Sequence, residues 1–176
     1  MHTSATWLMS LMLSLSTQVA AQHKHSHAHE HGVVRLDVAV QGESLTVNLD
    51  APLDSLVGFE RAPRNDKERQ AADEVLARLK SGAGLFNGDA SAQCTLSKAE
   101  VKAPVLEAGA TAKGGHADLE ASYEFRCTLP AQLRTLDLGL FEAFKRIQRI
   151  DVQVAGARGQ VKVTLRRPAR SVRLVR

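Results

Sequence analysis

No run in this sequence approaches the roughly 20 consecutive apolar residues that a membrane-spanning helix needs. Methionine occurs only at positions 1, 9 and 12, so the rest of the chain has no thioether for a copper(I) site. Lys, Arg, Asp and Glu are all missing before Lys24. Aromatic residues are few, and none interrupts Arg166, Arg167, Arg170, Arg173 and Arg176 near the C-terminus. Single-stranded nucleic-acid binders combine their cations with aromatic platforms. This run therefore reads better as the outward face of a last strand than as a nucleic-acid or membrane patch. The formal charge balance, 23 basic against 19 acidic residues, is a modest surplus.

What is present begins with an export signal, expected over residues 1–21. Trp7 to Leu15 is a short apolar core, and Val19-Ala20-Ala21 supplies small residues ahead of Gln22, the pattern of a cleavable secretory signal. The segment departs from that pattern in having only His2, and no Lys or Arg, before its apolar core. The remainder suits one compact domain, or two small halves sharing a core. Export would place the chain in oxidising surroundings, where an even cysteine count usually means a disulfide. Cys94 and Cys127 are expected to pair. Their wide separation disfavours a pair of zinc thiolates, which are normally closely spaced.

Periodicity predicts a strand-dominated α+β fold of antiparallel sheets with one or two helices. Val34, Leu36, Val38 and Val40 share one face of a first strand, and Leu45 to Leu49 alternates again after Gln41-Gly42-Glu43-Ser44, giving a hairpin,. Leu53 to Glu60 reads as an apolar connector. Asn65 or Asp66 is placed to cap a helix reaching about Lys80, with Ala71, Val75, Leu76 and Leu79 as its apolar stripe,. Ala90 to Val101 is strand-like, and a glycine-rich loop holds Gly109, Gly114 and Gly115. His116 to Thr128 puts Leu119, Ala121, Tyr123, Phe125 and Cys127 on one side. Leu136 to Ile147 is a short helix or connector, and Ile150–Val154 with Val161–Leu165 forms a closing hairpin. Residues 33–108 and 115–176 share short matches, His31-Gly32 with His116-Ala117 and Leu53–Glu60 with Leu136–Glu142, which would make them a degenerate repeat.

The chemistry is concentrated in residues 22–32, where His23, His25, His27, His29 and His31 alternate with Lys24, Ser26, Ala28 and Glu30. In an extended segment, side chains two apart point the same way, roughly 6.5–7 Å apart. Adjacent imidazoles can therefore reach inward to one ion, and neutral imidazole suits zinc, copper and nickel. Overlapping pairs on a polar tail that cannot bury a core suit capture and hand-over better than a rigid catalytic ion. Affinity should fall as pH drops through about 6, because a free imidazole, with a pKa near 6.5, must lose its proton to bind. His116 and Asp118 form a weaker second signal, with the same parity at the start of a strand. A lone histidine beside a glycine loop is more often a surface or capping residue.

His29-Glu30-His31-Gly32 before a strand, Leu56-Val57-Gly58-Phe59-Glu60, Ala92-Gln93-Cys94, Gly115-His116-Ala117-Asp118 and Tyr123-Glu124-Phe125-Arg126-Cys127 resemble the ZrgA-like periplasmic zinc-binding proteins over most of the chain. The resemblance implies a bacterial periplasmic protein that binds zinc and assists its uptake beside an inner-membrane importer. It also implies His116 and Asp118 as metal-site residues. One departure is Arg61, where relatives often carry a histidine after Gly-Phe-Glu; an arginine cannot ligate a cation. The alternative reading is a copper or nickel binding and detoxifying module, since imidazoles alone do not select zinc. An enzyme is disfavoured: no His-Glu-x-x-His sequence occurs, and no nucleophile comes with an evident base.

Overall fold

The computed structural model describes residues 30–107 and 117–174. The expected signal over 1–21, four of the ladder histidines (His23, His25, His27 and His29) and His116 lie outside the described residues. His31 and Asp118 lie inside them. Among the described residues no helix is long and apolar enough to cross a membrane.

The predicted hairpin forms from β1 (Val33–Gln41) and β2 (Ser44–Pro52), antiparallel from Arg35↔Asp50 to Gln41↔Ser44. Helices α1 (Leu53–Val57) and α2 (Asp66–Ser81) follow, then strands β3 (Phe86–Gly88), β4 (Cys94–Lys102) and β5 (Asp118–Cys127). The chain ends with β6 (Thr135–Leu138), α3 (Leu140–Ala143), β7 (Arg149–Gly156), β8 (Gly159–Leu165) and β9 (Ser171–Arg173). A six-stranded sheet runs β4-β5-β2-β1-β7-β8, and a three-stranded sheet runs β3-β6-β9.

The fold is strand-dominated, as the periodicity predicts, but it corrects the sequence reading in several places. The large sheet is mixed, because β1 and β7 pair parallel from Val33↔Arg149 to Ala39↔Ala155. Periodicity reports which face of a strand is buried and says nothing about its partner's direction. There are three helices where one or two were expected, because the connector after β2 closes into α1 and the Leu136–Ile147 segment divides between β6 and α3. The strand predicted from Ala90 begins at Cys94, after a 3-10 turn over Ala90–Ala92 and a left-handed Gln93. Strands from both proposed halves alternate within one sheet. Their matched stretches differ locally, Leu53–Val57 being helical while Leu136 lies in β6.

One face of the large sheet is the core. Val34, Leu36 and Val38, then Leu45, Val47 and Leu49, then Leu119, Tyr123 and Ile150 are all buried there, while Asp37, Asn48 and Glu120 on the opposite parity are exposed. Helix α2 covers this face with Ala72 and Leu79, so the buried stripe holds Ala72 and leaves the predicted Ala71 half-buried. Tyr123 joins the layers: its ring packs on Phe86 at 4.8 Å between centroids, and its hydroxyl donates to the Leu79 carbonyl at 2.9 Å. Burial pushes its phenol pKa up, so it remains that donor across the ordinary pH range. Gly139 lets the second sheet close against the α2–β3 connection, since a Cβ there would run into the Gly84 carbonyl oxygen. The expected disulfide joins Cys94 and Cys127, opposite each other on β4 and β5.

Candidate functional site

The pairing register brings four chain passages to one end of the large sheet. Val33 opens β1 beside Arg149 of β7, while Pro52 closes β2 beside Asp118 of β5. The Leu53 N–H donates to the Ala117 carbonyl at 2.9 Å, so the start of α1 and the approach to β5 meet there too. His31 precedes β1 in a turn, Asp54 sits in the first turn of α1, and Glu60 follows that helix. Each is where it is because of the strand ends.

Gly32 fixes the turn that presents His31. Its N–H donates to the buried Ser55 hydroxyl at 2.9 Å, and its carbonyl accepts from the N–H groups of Gln148 and Arg149 at 2.7 and 3.0 Å. Its φ of +80° is in the left-handed region, and a Cβ would meet Gln148 Cγ at 3.1 Å, so glycine is the residue that fits. Glu30, on the other side of His31, is gripped through both oxygens by Arg149 at 2.7 and 3.2 Å. The residues on both sides of His31 are thus tied to β7, Gly32 through its backbone and Glu30 through its carboxylate.

The His31 ring stands between two carboxylates. Its Nε2 is 3.3 Å from Glu60 Oε1, and its Nδ1 is 3.8 Å from Asp54 Oδ2. The imidazole is 62% exposed and the two carboxylates 18% each, so the ring faces solvent while the acids line the wall behind it. Arg146 holds Asp54 in place, Nε donating to its backbone carbonyl at 2.7 Å and Nη2 to Oδ1 at 2.9 Å. The second Asp54 oxygen is left towards His31, too far for a hydrogen bond but near enough for its charge to favour one ring orientation.

Zinc held tetrahedrally by bonds of about 2.0–2.1 Å sets neighbouring ligand atoms about 3.3–3.4 Å apart. The His31–Glu60 separation matches that edge. The two carboxylates address different ring nitrogens, so this trio does not converge on one point. Among the described residues no group of three or more His, Cys, Asp or Glu side chains is arranged to hold a metal ion. Asp118 lies at the same end of the sheet, its Oδ1 shielded from solvent as Glu60 Oε1 is. Of the residues expected from sequence, the structure therefore brings His31 and Asp118 to a common end. Asp54 and Glu60 were missed, although both were visible as acids set in otherwise apolar stretches.

Arg61, which follows Gly58-Phe59-Glu60, is engaged elsewhere. Its two terminal nitrogens bind Glu68 of α2 at 2.6 and 2.8 Å, and its guanidinium lies over the Phe59 ring at 5.1 Å. The hydrogen bond from Arg61, helped by the Arg64 N–H, holds the Glu68 carboxyl down at about 2. The Arg61 charge is thus matched on the helix.

A recess of about 860 Å³ lies on the exposed face of the large sheet and is lined by acids and bases together, among them Arg35, Asp37, Asp50, Lys102, Glu120 and Asp151. It contains no histidine. No curated protein matches the chain. The family model described as the ZrgA family zinc uptake protein matches residues 28–174, which takes in every element described above. The chain belongs to the ZrgA family of zinc uptake proteins.

Proposed function

We propose that this protein captures zinc in the periplasm and assists its uptake by passing it to an inner-membrane importer. The observation that carries this reading is the His31 Nε2–Glu60 Oε1 pair, 3.3 Å apart at an exposed end of the sheet. In this account the ladder is the capture arm, and zinc moves along overlapping pairs among His23, His25, His27, His29 and His31. His31 belongs both to the arm and to the folded body, because its turn is bonded to Ser55 and β7. It delivers the ion to Glu60, with Asp54 orienting the ring and His29, His116 and Asp118 supplying further ligands. Membership of a zinc uptake family supports the choice of zinc, and the segment 1–21 supports export.

A shell of imidazole and carboxylate, with no thiolate because both cysteines are bridged, is suited to reversible holding. Exchange with a partner then requires only that a few nitrogen and oxygen bonds be replaced in turn. Calorimetric titration with zinc, copper(II) and nickel tests the proposal. Zinc is expected to bind well below millimolar, and to bind more weakly and with fewer equivalents once residues 22–29 are removed. Zinc binding no tighter than about millimolar would overturn the reading, since that is only about 4 kcal/mol of binding free energy.

A further inference from the structure

The arginines near the C-terminus do not act as one patch. Arg167 is structural, donating to the carbonyls of Ile147 and Phe141 at 2.9 and 2.7 Å and lying over the Phe141 ring. Arg170 is neutralised by Asp137 at 3.0 Å and Glu142 at 3.2 Å. Arg173 is different. It is exposed on β9 opposite Thr135 of β6, and it lines a recess of about 410 Å³ with Arg134, Arg158, Thr135 and Leu174. The Leu174 N–H bonds the Arg134 carbonyl at 2.8 Å, which fixes the edges of the β6–β9 pair together. Arg158 reaches the same recess from the turn between β7 and β8.

Among the described residues, none of these three guanidinium groups is paired with a carboxylate. The nearest acid in the chain's bonding pattern, Asp89, gives its oxygens to the Arg134 and Thr135 N–H groups and the Thr135 hydroxyl, at 2.6–2.9 Å. Five other arginines, Arg35, Arg61, Arg126, Arg146 and Arg149, each have an acidic partner. Three like charges gathered around one recess repel one another unless an anion joins them. Guanidinium forks match the oxygens of phosphate two at a time; free phosphate carries close to two negative charges at neutral pH, and the phosphodiester of a lipid headgroup carries one.

We infer that the recess formed by Arg134, Arg158 and Arg173 is a binding site for a phosphate group, presented either as free phosphate or as an anionic phospholipid headgroup. This is independent of the zinc reading, because none of its residues belongs to the His31 end of the sheet. The test uses metal-free protein, inorganic phosphate in a calorimeter, and sedimentation with phosphatidylglycerol or phosphatidylcholine vesicles. Two charge-matched variants are compared: Arg134→Gln/Arg158→Gln/Arg173→Gln, and Arg64→Gln/Arg69→Gln/Arg78→Gln, on α2 and just before it. Thermal melting checks that both remain folded.

The expected result is binding that weakens at least about tenfold in the recess variant and changes by less than about twofold in the helix variant, as site-specific charge-assisted bonds require. Binding of free phosphate identifies the soluble ion as the ligand. Binding of phosphatidylglycerol vesicles alone identifies the headgroup. Failure to bind either probe overturns the inference, as does equal weakening in the two variants, which would mean that only net charge matters.

Discussion

At the scale of single residues, the account rests on side chains a few ångströms apart. His31→Ala and Glu60→Gln should each weaken the tightest zinc site by about tenfold or more, the usual loss when a ligand or its close support is removed. Titration of the variants checks this. Ser55→Ala should cost about 1–3 kcal/mol, because the Gly32 N–H would lose its hydroxyl partner in a buried place,; denaturant unfolding measures it. Glu68 gives a pH prediction. Its folded pKa, about 2, lies below the ordinary carboxylate value of 4.5, so the contribution of its pair with Arg61 is fully present above about 4.5 and is lost as pH falls towards 2. Glu68→Gln should flatten the acid limb of a stability–pH curve over that window, and an unchanged limb would contradict the assignment. The histidines were legible because alternation makes a ligand pattern visible in one dimension. Asp54 and Glu60 stand out in the sequence only as acids in apolar stretches, and their role is not legible there, because the β1–β2 hairpin brings Asp54, and α1 then brings Glu60, to the start of β1.

At the scale of elements, legibility followed length and periodicity. β1, β2 and β5 alternate over nine or ten residues, and their buried faces are those the sequence indicated. Helix α2 was readable from its cap: Asn65 accepts the Glu68 N–H at 2.9 Å, so Asn65→Ala should lower stability by about 1 kcal/mol, seen as a lower melting temperature. The three-residue strands β3 and β9 and the five-residue α1 fall below any period that a sequence can display. They form because neighbours already in place complete their hydrogen bonds and cover their side chains. Gly139 belongs to this hidden class. Gly139→Ala should destabilise by about 1–3 kcal/mol through its clash with the Gly84 carbonyl,.

At the scale of the whole molecule, two long-range links organise the fold. The disulfide was legible, since two cysteines in a chain with an export-like start leave one intramolecular pairing, and it secures edge strand β4 to β5. Its reduction should cost about 2–4 kcal/mol for a loop of this length, measured by unfolding with and without reductant. The parallel pairing of β1 with β7 was illegible, because it joins residues more than a hundred positions apart. Yet that pairing places Arg149 beside Glu30, and Gln148 and Arg149 on Gly32, so the topology aims His31 at Glu60. The central claim is that zinc reaches this body-held imidazole as well as the tail. Nitrogen NMR of the histidine rings at one equivalent of zinc, with His31→Ala to assign the signal, tests it most directly. The account predicts that His31 Nε2 shifts as a metal-bound nitrogen and that Glu60→Gln diminishes the shift. A His31 signal that stays in place while other histidines move would contradict it.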